Sequence, residues 1–503
     1  MAELLNNSNR QLIPRWHTSR KLELLAPKYN PLEQLKGNLD DYHVQEKLNI
    51  WRDTKSVSDG IELFTALELA NDNSDMYKEV KGFLLSEKPK LPRAVIETLE
   101  PRLRKIDTSE TYTSEKHRLF SIINTLKSHV REFPYDSLTW CDLAFYYSIL
   151  GEKEKASKAM TISYHLSNSH PTITRAFARM LIHLDDPEQA LSVIKQTGMS
   201  NSNPELMSAE VAIRSTFDLG KPNISQAKKL VDRLNGKSNF LSELSASIGT
   251  IELQHGSVKR ARSYLNYSTV SPTENTIAQL KWISQKLDYK TELSNGLILK
   301  SIEAEAIAHY QNQNYAGCRV ALLELHDFQP FSKMALADFG YISLVAMDEP
   351  GYLIDKYNYY EHAVRNNFLA LNNYVVALLE EKASVNFDDL FSRLKYLVEN
   401  EHDQAVMNAT LGMYLYGVDK EELGETLYKK TAQYFRARRD NTSLALLLIH
   451  HAISMSGTDE NKEKAIELLK QAKYFAEKEK KSRPEVLDKV GREIKKLEKT
   501  TIN

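Results

Sequence analysis

The protein has 503 residues, with 66 Lys and Arg against 67 Asp and Glu for a net charge of −1, so no global field draws it to nucleic acid or acidic membranes. Its length exceeds what one hydrophobic core sustains and implies several domains or an elongated array. Only 18 Gly and 15 Pro are present, well below the roughly 12% of average usage. An α/β enzyme needs glycines for tight βα turns and ligand approach, whereas helices joined by short turns do not. The 42% hydrophobic and 26% charged residues exclude wholesale disorder.

Residues 1–40 are expected to form an extended arm. Pro14, Pro27 and Pro31 interrupt it, Trp16, Leu22, Leu24, Leu25 and Tyr29 make it too apolar for a free tail, and its first 22 residues carry Arg10, Arg15, Arg20 and Lys21 against only Glu3. Two roles stand open: a cap over the first helices, hiding the apolar end that a stack of helices exposes, or a docking segment that orders on a partner. Residues 41–110 follow as an irregular helical cap. Short helices are expected around Tyr42 to Trp51, Ser58 to Leu69, Asp75 to Leu85 and Arg93 to Ile106, broken by Pro89, Pro92 and Pro101. A longer helix from Ser114 to Glu132 places Leu119, Ile122, Ile123, Leu126 and Val130 on one face and stops at Pro134.

A repeat begins here. Trp140, Leu143, Ala144, Tyr147, Gly151, Ala156 and Met160 follow the spacing W-x₂-L-G-x₂-Y…A-x₃-F, with Ala144 in place of Gly and Met160 in place of Phe. Ala156 has counterparts in Ala190, Ala227 and Ala261 at intervals of about 34 residues, and Phe177, Ala178, Leu181, Ile194, Ile248, Gly249 and Leu265 fall at the matching offsets. Small residues suit the close crossing of two helices, and large apolar ones fill the seam beside it. On these residues the sequence resembles tetratricopeptide-repeat proteins over about 134–475, clearly over 111–270 and in divergent form over 271–475. The resemblance implies an all-α, right-handed α-solenoid of helix-turn-helix repeats. Residues 476–503 are expected to form a charged C-terminal helix with Val486, Val490, Ile494 and Leu497 on one face; Lys489, Arg492, Lys495, Lys496 and Lys499 make it either a solvated cap or an electrostatic contact.

Catalytic constellations are absent from the sequence: no G-x-x-x-x-G-K-[ST] or G-x-G-x-x-G phosphate loop, no G-x-S-x-G, no H-E-x-x-H and no C-x-x-C. His165 and His170, like the adjacent His450 and His451, diverge on a helix and do not make a metal site. Cys141 and Cys318 are too far apart in sequence to suggest a disulfide framework or metal spacing, and each is expected to be buried in a helix. No apolar run reaches signal-peptide or membrane-span length. The expected setting is the cytoplasm, without a cofactor, a metal or a membrane.

The resemblance also implies where partners bind, since the concave face of such arrays is lined by the first helix of each repeat. Carried over, it points to Leu138, Cys141 and Phe145, then Arg175, Arg179 and His183, then Glu210 and Arg214, then Glu243 and Thr250. Arg175, Arg179 and His183 are spaced i, i+4, i+8 and share one stripe. Guanidinium groups suit carboxylate or phosphate, although the Lys and Asn of the carboxylate-clamp type are missing. A tyrosine cluster from Tyr352 to Tyr360 is a further candidate contact. The expected function is a non-enzymatic scaffold or adaptor that holds protein partners through the concave face and the arm, with Trp16, Phe145, Arg175, Arg179, His183, Glu210 and Arg214 as contacts. The alternative is a regulatory subunit contacting nucleic acid or a nucleotide-bearing partner through the basic stripe.

Overall fold

The computed structural model describes residues 10–19, 41–69, 75–87, 115–234, 240–287, 289, 293–455, 461–478 and 483–499, and every regular element among them is helical. By contacts the protein divides into two units, Leu22–Tyr112 and the remainder. In the first of these, α1 (Asp41–Thr54), α2 (Val57–Leu69) and α3 (Asp75–Glu87) enclose Leu48, Trp51, Leu63, Phe64, Leu67, Val80 and Leu84. Gly60 permits the approach of α1 to α2: a Cβ there would lie 3.1 Å from the Trp51 indole nitrogen. The helix expected at Arg93 to Ile106 lies outside the described residues.

The other unit opens with α4 (Glu115–Glu132) and continues as helix pairs: α5 (Ser137–Ile149) with α6 (Lys153–Leu166), α7 (Pro171–His183) with α8 (Pro187–Gln196), α9 (Pro204–Phe217) with α10 (Ile224–Arg233), and α11 (Ser242–His255) with α12 (Val258–Ser268). Side-chain oxygens start many of them. Asp136 accepts from the backbone N–H groups of Leu138 and Thr139, Asp186 from Gln189, Asn203 from Glu205 and Leu206, and Asn223 from Gln226, relieving donors that a helix start leaves unpaired. Pro171, Pro187 and Pro204 occupy first-turn positions, where the missing N–H costs nothing. The turn inside each of the first three pairs holds a residue at positive φ: Gly151, then Asp185, then Asp218. Aspartate tolerates this region better than most residues, so the second turn forms without a glycine, while the third also holds Gly220 at positive φ.

Ala156, Ala190, Ala227 and Ala261 sit on the second helices of these pairs and are fully buried. At Gly249 in α11 a Cβ would lie 2.6 Å from the Leu265 side chain of α12, so the small residue sets how closely the helices approach.

Pairing continues through α13 (Glu274–Lys286), the single turn α14 (Asn295–Ile298), α15 (Ile302–Gln311), α16 (Tyr315–Phe328) and α17 (Lys333–Tyr341), which runs into a π-helical turn at Ile342–Ala346. Next come α18 (Pro350–Tyr359), the short α19 (Glu361–Val364), α20 (Phe368–Glu380), α21 (Phe387–Leu397), α22 (Glu401–Gly417), α23 (Glu421–Arg438), α24 (Asn441–Met455), α25 (Lys462–Glu477) and α26 (Pro484–Lys499). The first helices of successive pairs also touch one another, α5 to α7 to α9 to α11 to α13 to α15 and again α17 to α20 to α22 to α24, and so form an inner wall. The stack curls until its start meets its middle. Glu115 of α4 lies 3.6 Å from His326, Arg118 pairs with Asp327 at 3.3 Å, and His362 reaches the Ile149 carbonyl at 3.3 Å.

Two expectations about surface change here. Tyr357 and Tyr360 are buried, in one core with Phe339 and Leu353; Tyr357 donates to the Leu336 carbonyl at 2.5 Å and Tyr360 to Asp327 at 3.1 Å. The tyrosine cluster is a seam between helices, apolar on its faces and hydrogen-bonded at its tips. Likewise α26 is not solvated all round. Lys489 is fully buried and donates to the Leu344 carbonyl at 2.9 Å, with Asp348 and Glu380 at 3.4 and 3.5 Å, Arg492 donates to the Val345 carbonyl at 2.6 Å, and Glu485 accepts from Tyr310 and Tyr341. These contacts fix α26 against the π-helical turn, whose widened backbone offers carbonyls to the two cations.

Replacing Ala190 with Leu puts a larger side chain into a site with no room and is expected to cost about 1–3 kcal/mol. Urea unfolding measures the loss, and an unchanged midpoint would remove Ala190 from the closely packed seam.

Candidate functional site

Along the inner wall lies a groove, and residues 10–19 of the same polypeptide fill it without forming helix or strand. The arm brings its cations to a carboxylate cluster at the start of α13 and α15. Arg10 donates through Nε to Glu303 at 2.8 Å, through one terminal nitrogen to Gln279 at 2.7 Å, and through the other to Asn275 at 2.8 Å and Glu303 at 3.1 Å. Arg15 pairs with both Glu274 and Glu303. The backbone is read as well: Asn275 donates to the Ile13 carbonyl at 3.1 Å, Gln279 to the Arg10 carbonyl at 3.3 Å, and Ser19 donates to Asp142 of α5 through N–H at 2.7 Å and hydroxyl at 2.8 Å.

Between Arg10 and Ser19 the arm inserts Leu12 and Trp16, each only 1% exposed. The Trp16 ring stacks on Phe331 with centroids 5.3 Å apart and meets Phe145 edge-on, also at 5.3 Å. Phe145 belongs to α5, and Phe331 follows α16. One indole therefore joins two parts of the stack that are far apart in sequence.

Several of the residues singled out on the concave face are brought together here, whereas Glu210 and Arg214 are not. Phe145 is the edge-on wall of the Trp16 site. Arg175 is clamped by Glu205 at 2.8 Å and Glu243 at 2.6 Å. Arg179 places its guanidinium 5.4 Å from the Phe331 ring centre and donates to the Phe331 carbonyl at 3.4 Å. His183 stands against the same ring, 4.7 Å between centroids, with Nε2 3.3 Å from the Ser148 carbonyl. Arg214 is apart from the cluster. It pairs with Glu210 at 2.9 Å on its own helix and donates to the Leu219 carbonyl at 2.6 Å, closing the end of α9. Glu243 and Thr250 reach the groove through Arg175 and Gln279 respectively. Cys141 is buried beneath it as a free thiol, raised above the ordinary thiol range by burial and the charge of Asp142; Cys318 is likewise free and buried.

The carboxylates Glu274 and Glu303, and the amides Asn275 and Gln279, were not singled out as site residues in the sequence. An acidic residue at a helix start reads as a dipole partner, and nothing local links Glu303 to an arginine 293 positions earlier.

The electrostatics are those of a desolvated but paired cluster. Burial works to raise the Glu303 carboxyl, yet the charges of Arg10 and Arg15 overcome it and hold the group at about 2. In Glu274 burial and the neighbouring Glu303 charge win over Arg15 and shift the carboxyl upward. Burial, then the charges of Arg15 and Arg175, push His17 down to about 4; burial and Arg179 push His183 down to about 4. Both imidazoles are neutral at pH 7. Among the described residues no group of three or more His, Cys, Asp or Glu side chains is placed to hold a metal ion, and no helix is long and apolar enough to cross a membrane.

A separate cavity of about 110 Å³ opens farther along the inner wall, lined by Val376, Met413 and Leu447 with Asn372, Thr410 and His450 at its edges. Thr410 donates to Asn372 at 2.7 Å.

No known protein family matches the sequence, and no curated protein matches it.

Two outcomes follow from the cluster. Glu303→Gln leaves two buried guanidiniums short of their shared anion and is expected to cost about 3–5 kcal/mol, a loss of the size expected for Trp16→Ala, which empties the aromatic site; urea unfolding reads both. Acid should release the arm in two stages. His17 and His183 ordinarily titrate at 6.5 but at about 4 when folded, so the unfolded state takes up their protons first and stability falls as pH drops from 6.5 towards 4. By surface area His17 is exposed to water and His183 only partly so, so the larger share of this stage falls to His183. Glu303 ordinarily titrates at 4.5 but at about 2 when folded, so its contribution is complete above pH 4.5 and is lost as pH falls further. Unfolding midpoints between pH 7 and 3 test this, and a double His17→Gln, His183→Gln variant should flatten the upper stage.

Proposed function

We propose that the protein is a non-enzymatic scaffold that holds extended protein segments along its inner wall, with helix pairs of tetratricopeptide type in a right-handed array. One observation carries the reading: this wall already holds a segment without helix or strand, residues 10–19, through paired charges, backbone hydrogen bonds and an aromatic anchor. A curved wall of repeated helices supplies a long surface without a deep reaction pocket, and the arm is held in the way proteins hold linear motifs, by reading both its main chain and its side chains. The partner's segment either takes over part of the arm's place or continues along the wall beyond it. In both cases the arm and the partner share the groove.

The arm's role in stability and its role in partner access separate experimentally. Full-length protein carrying Arg15→Gln and Trp16→Ala holds the arm weakly while leaving the wall unchanged. That variant is expected to bind a labelled peptide copying residues 8–21, which wild type excludes. The same peptide should compete with a partner purified from the source cells. Partner binding that ignores both the arm substitutions and the peptide would remove the inner wall as the partner site.

A further inference from the structure

We propose that Arg179, flanked by His183, is an anion-binding point of the inner groove that takes a single carboxylate from a protein partner; the inference rests on the reading of the inner wall as a partner surface.

The groove treats its arginines unequally. Arg10 has Glu303, Arg15 has Glu274 and Glu303, and Arg175 has Glu205 and Glu243. Arg179 lies on the same stripe as Arg175, one turn further along α7, yet its contacts are a carbonyl at 3.4 Å and the face of Phe331. No described carboxylate pairs with it. Arg179 is partly buried, and a guanidinium partly withdrawn from water without an anion is unfavourable, so an arriving carboxylate would be favoured there. Consistent with this, burial and then the nearby Arg15 charge depress Arg179 to about 10, with no acidic group offsetting them.

The surroundings select the ligand. Lys333 and Arg179 both act on His183 as positive charges, and Asp185 opposes them more weakly, so the local field favours an anion. The positive excess is nevertheless small. His183 and His17 are neutral, Arg15 and Arg175 are already matched, and Glu205, Glu243 and Glu303 stand along the same groove. One uncompensated guanidinium suits one singly charged group, and its planar fork matches a carboxylate; a doubly charged phosphate would meet the surrounding glutamates. The occupant is thus an Asp or Glu side group, or the terminal carboxylate, of the segment that runs beside the arm, with Phe331 and Trp16 providing an apolar floor.

The test uses full-length protein at low salt and a fluorescein-labelled tetraglutamate peptide, with tetraglutamine as the neutral control and inorganic phosphate as the other anion. Tetraglutamate is expected to bind wild type and to raise its thermal midpoint. Arg179→Gln should weaken that binding about tenfold or more, whereas Arg214→Gln, which removes an internally paired arginine of the same wall, should leave it unchanged. Without ligand, Arg179→Gln should unfold no earlier than wild type, because the substitution removes an unmatched charge. Equal binding by wild type and Arg179→Gln, no binding of tetraglutamate by wild type, or a lowered midpoint for ligand-free Arg179→Gln would each overturn the proposal. Phosphate binding in preference to tetraglutamate would overturn the carboxylate assignment. None of these results depends on the residue 8–21 peptide, so failure here and failure of the scaffold reading are told apart.

Discussion

Two guanidiniums and two carboxylates, Arg10 and Arg15 against Glu274 and Glu303, are held out of water inside one groove, and the rest of the inner wall is arranged around that fact. Each charge is expensive to bury alone and tolerable only with its partners in place. The amides of Asn275 and Gln279 accept from the remaining guanidinium donors of Arg10 and donate to arm carbonyls. The arm cannot slide by one residue without unpairing charges, so its register is set by electrostatics. Its depth is set by Leu12 and Trp16.

This register links distant helices. Asp142 on α5 holds Ser19, Phe145 on the same helix and Phe331 after α16 hold Trp16, and Glu274 and Glu303 at the starts of α13 and α15 hold the arginines. Helix pairs stacked in sequence touch only their neighbours, and their stability is close to a sum of neighbour terms. A segment that crosses the groove adds contacts that such a stack lacks, and the pairs of Arg118 with Asp327 and Glu115 with His326 close the same curve from outside the groove. At the other end α26 does comparable work, with buried Lys489 and Arg492 bonded to carbonyls of the π-helical turn.

A wall occupied by its own N-terminal arm bears on binding. Arginines that would otherwise present a basic stripe are mostly neutralised by internal glutamates, which disfavours a broad electrostatic contact of the kind nucleic acid needs. What the wall still offers is local: the edge of the aromatic site, the unmatched Arg179 and the open cavity near Met413. Recognition through such points depends on side-chain order in an extended segment, the same property that seats the arm.

Much of the helical architecture was legible in the sequence because it is written in short-range terms. Ala156, Ala190, Ala227 and Ala261 recur at one interval and all are buried, since each helix pair needs a small residue where its helices approach. Asp136, Asn203 and Asn223 start helices through their own side chains, which the structure showed although the cause is local, a matter of two or three residues. Trp16 was also readable as a candidate contact from the composition of the arm, and Phe145, Arg175, Arg179 and His183 from the positions that the family resemblance implies. What each of them touches was not. Glu303 meets Arg10 across more than half of the sequence, the Tyr357 and Tyr360 rings turn inward where composition pointed outward, and Lys489 is buried by a turn that begins at Ile342. Pairing of this kind depends on how the stack curls, which sums small angles over many helix crossings. Helices, their starts and their apolar faces follow from local backbone and side-chain physics and could be read without coordinates. That the arm fills the groove could not, because it depends on charges and rings that meet only after the curl is complete.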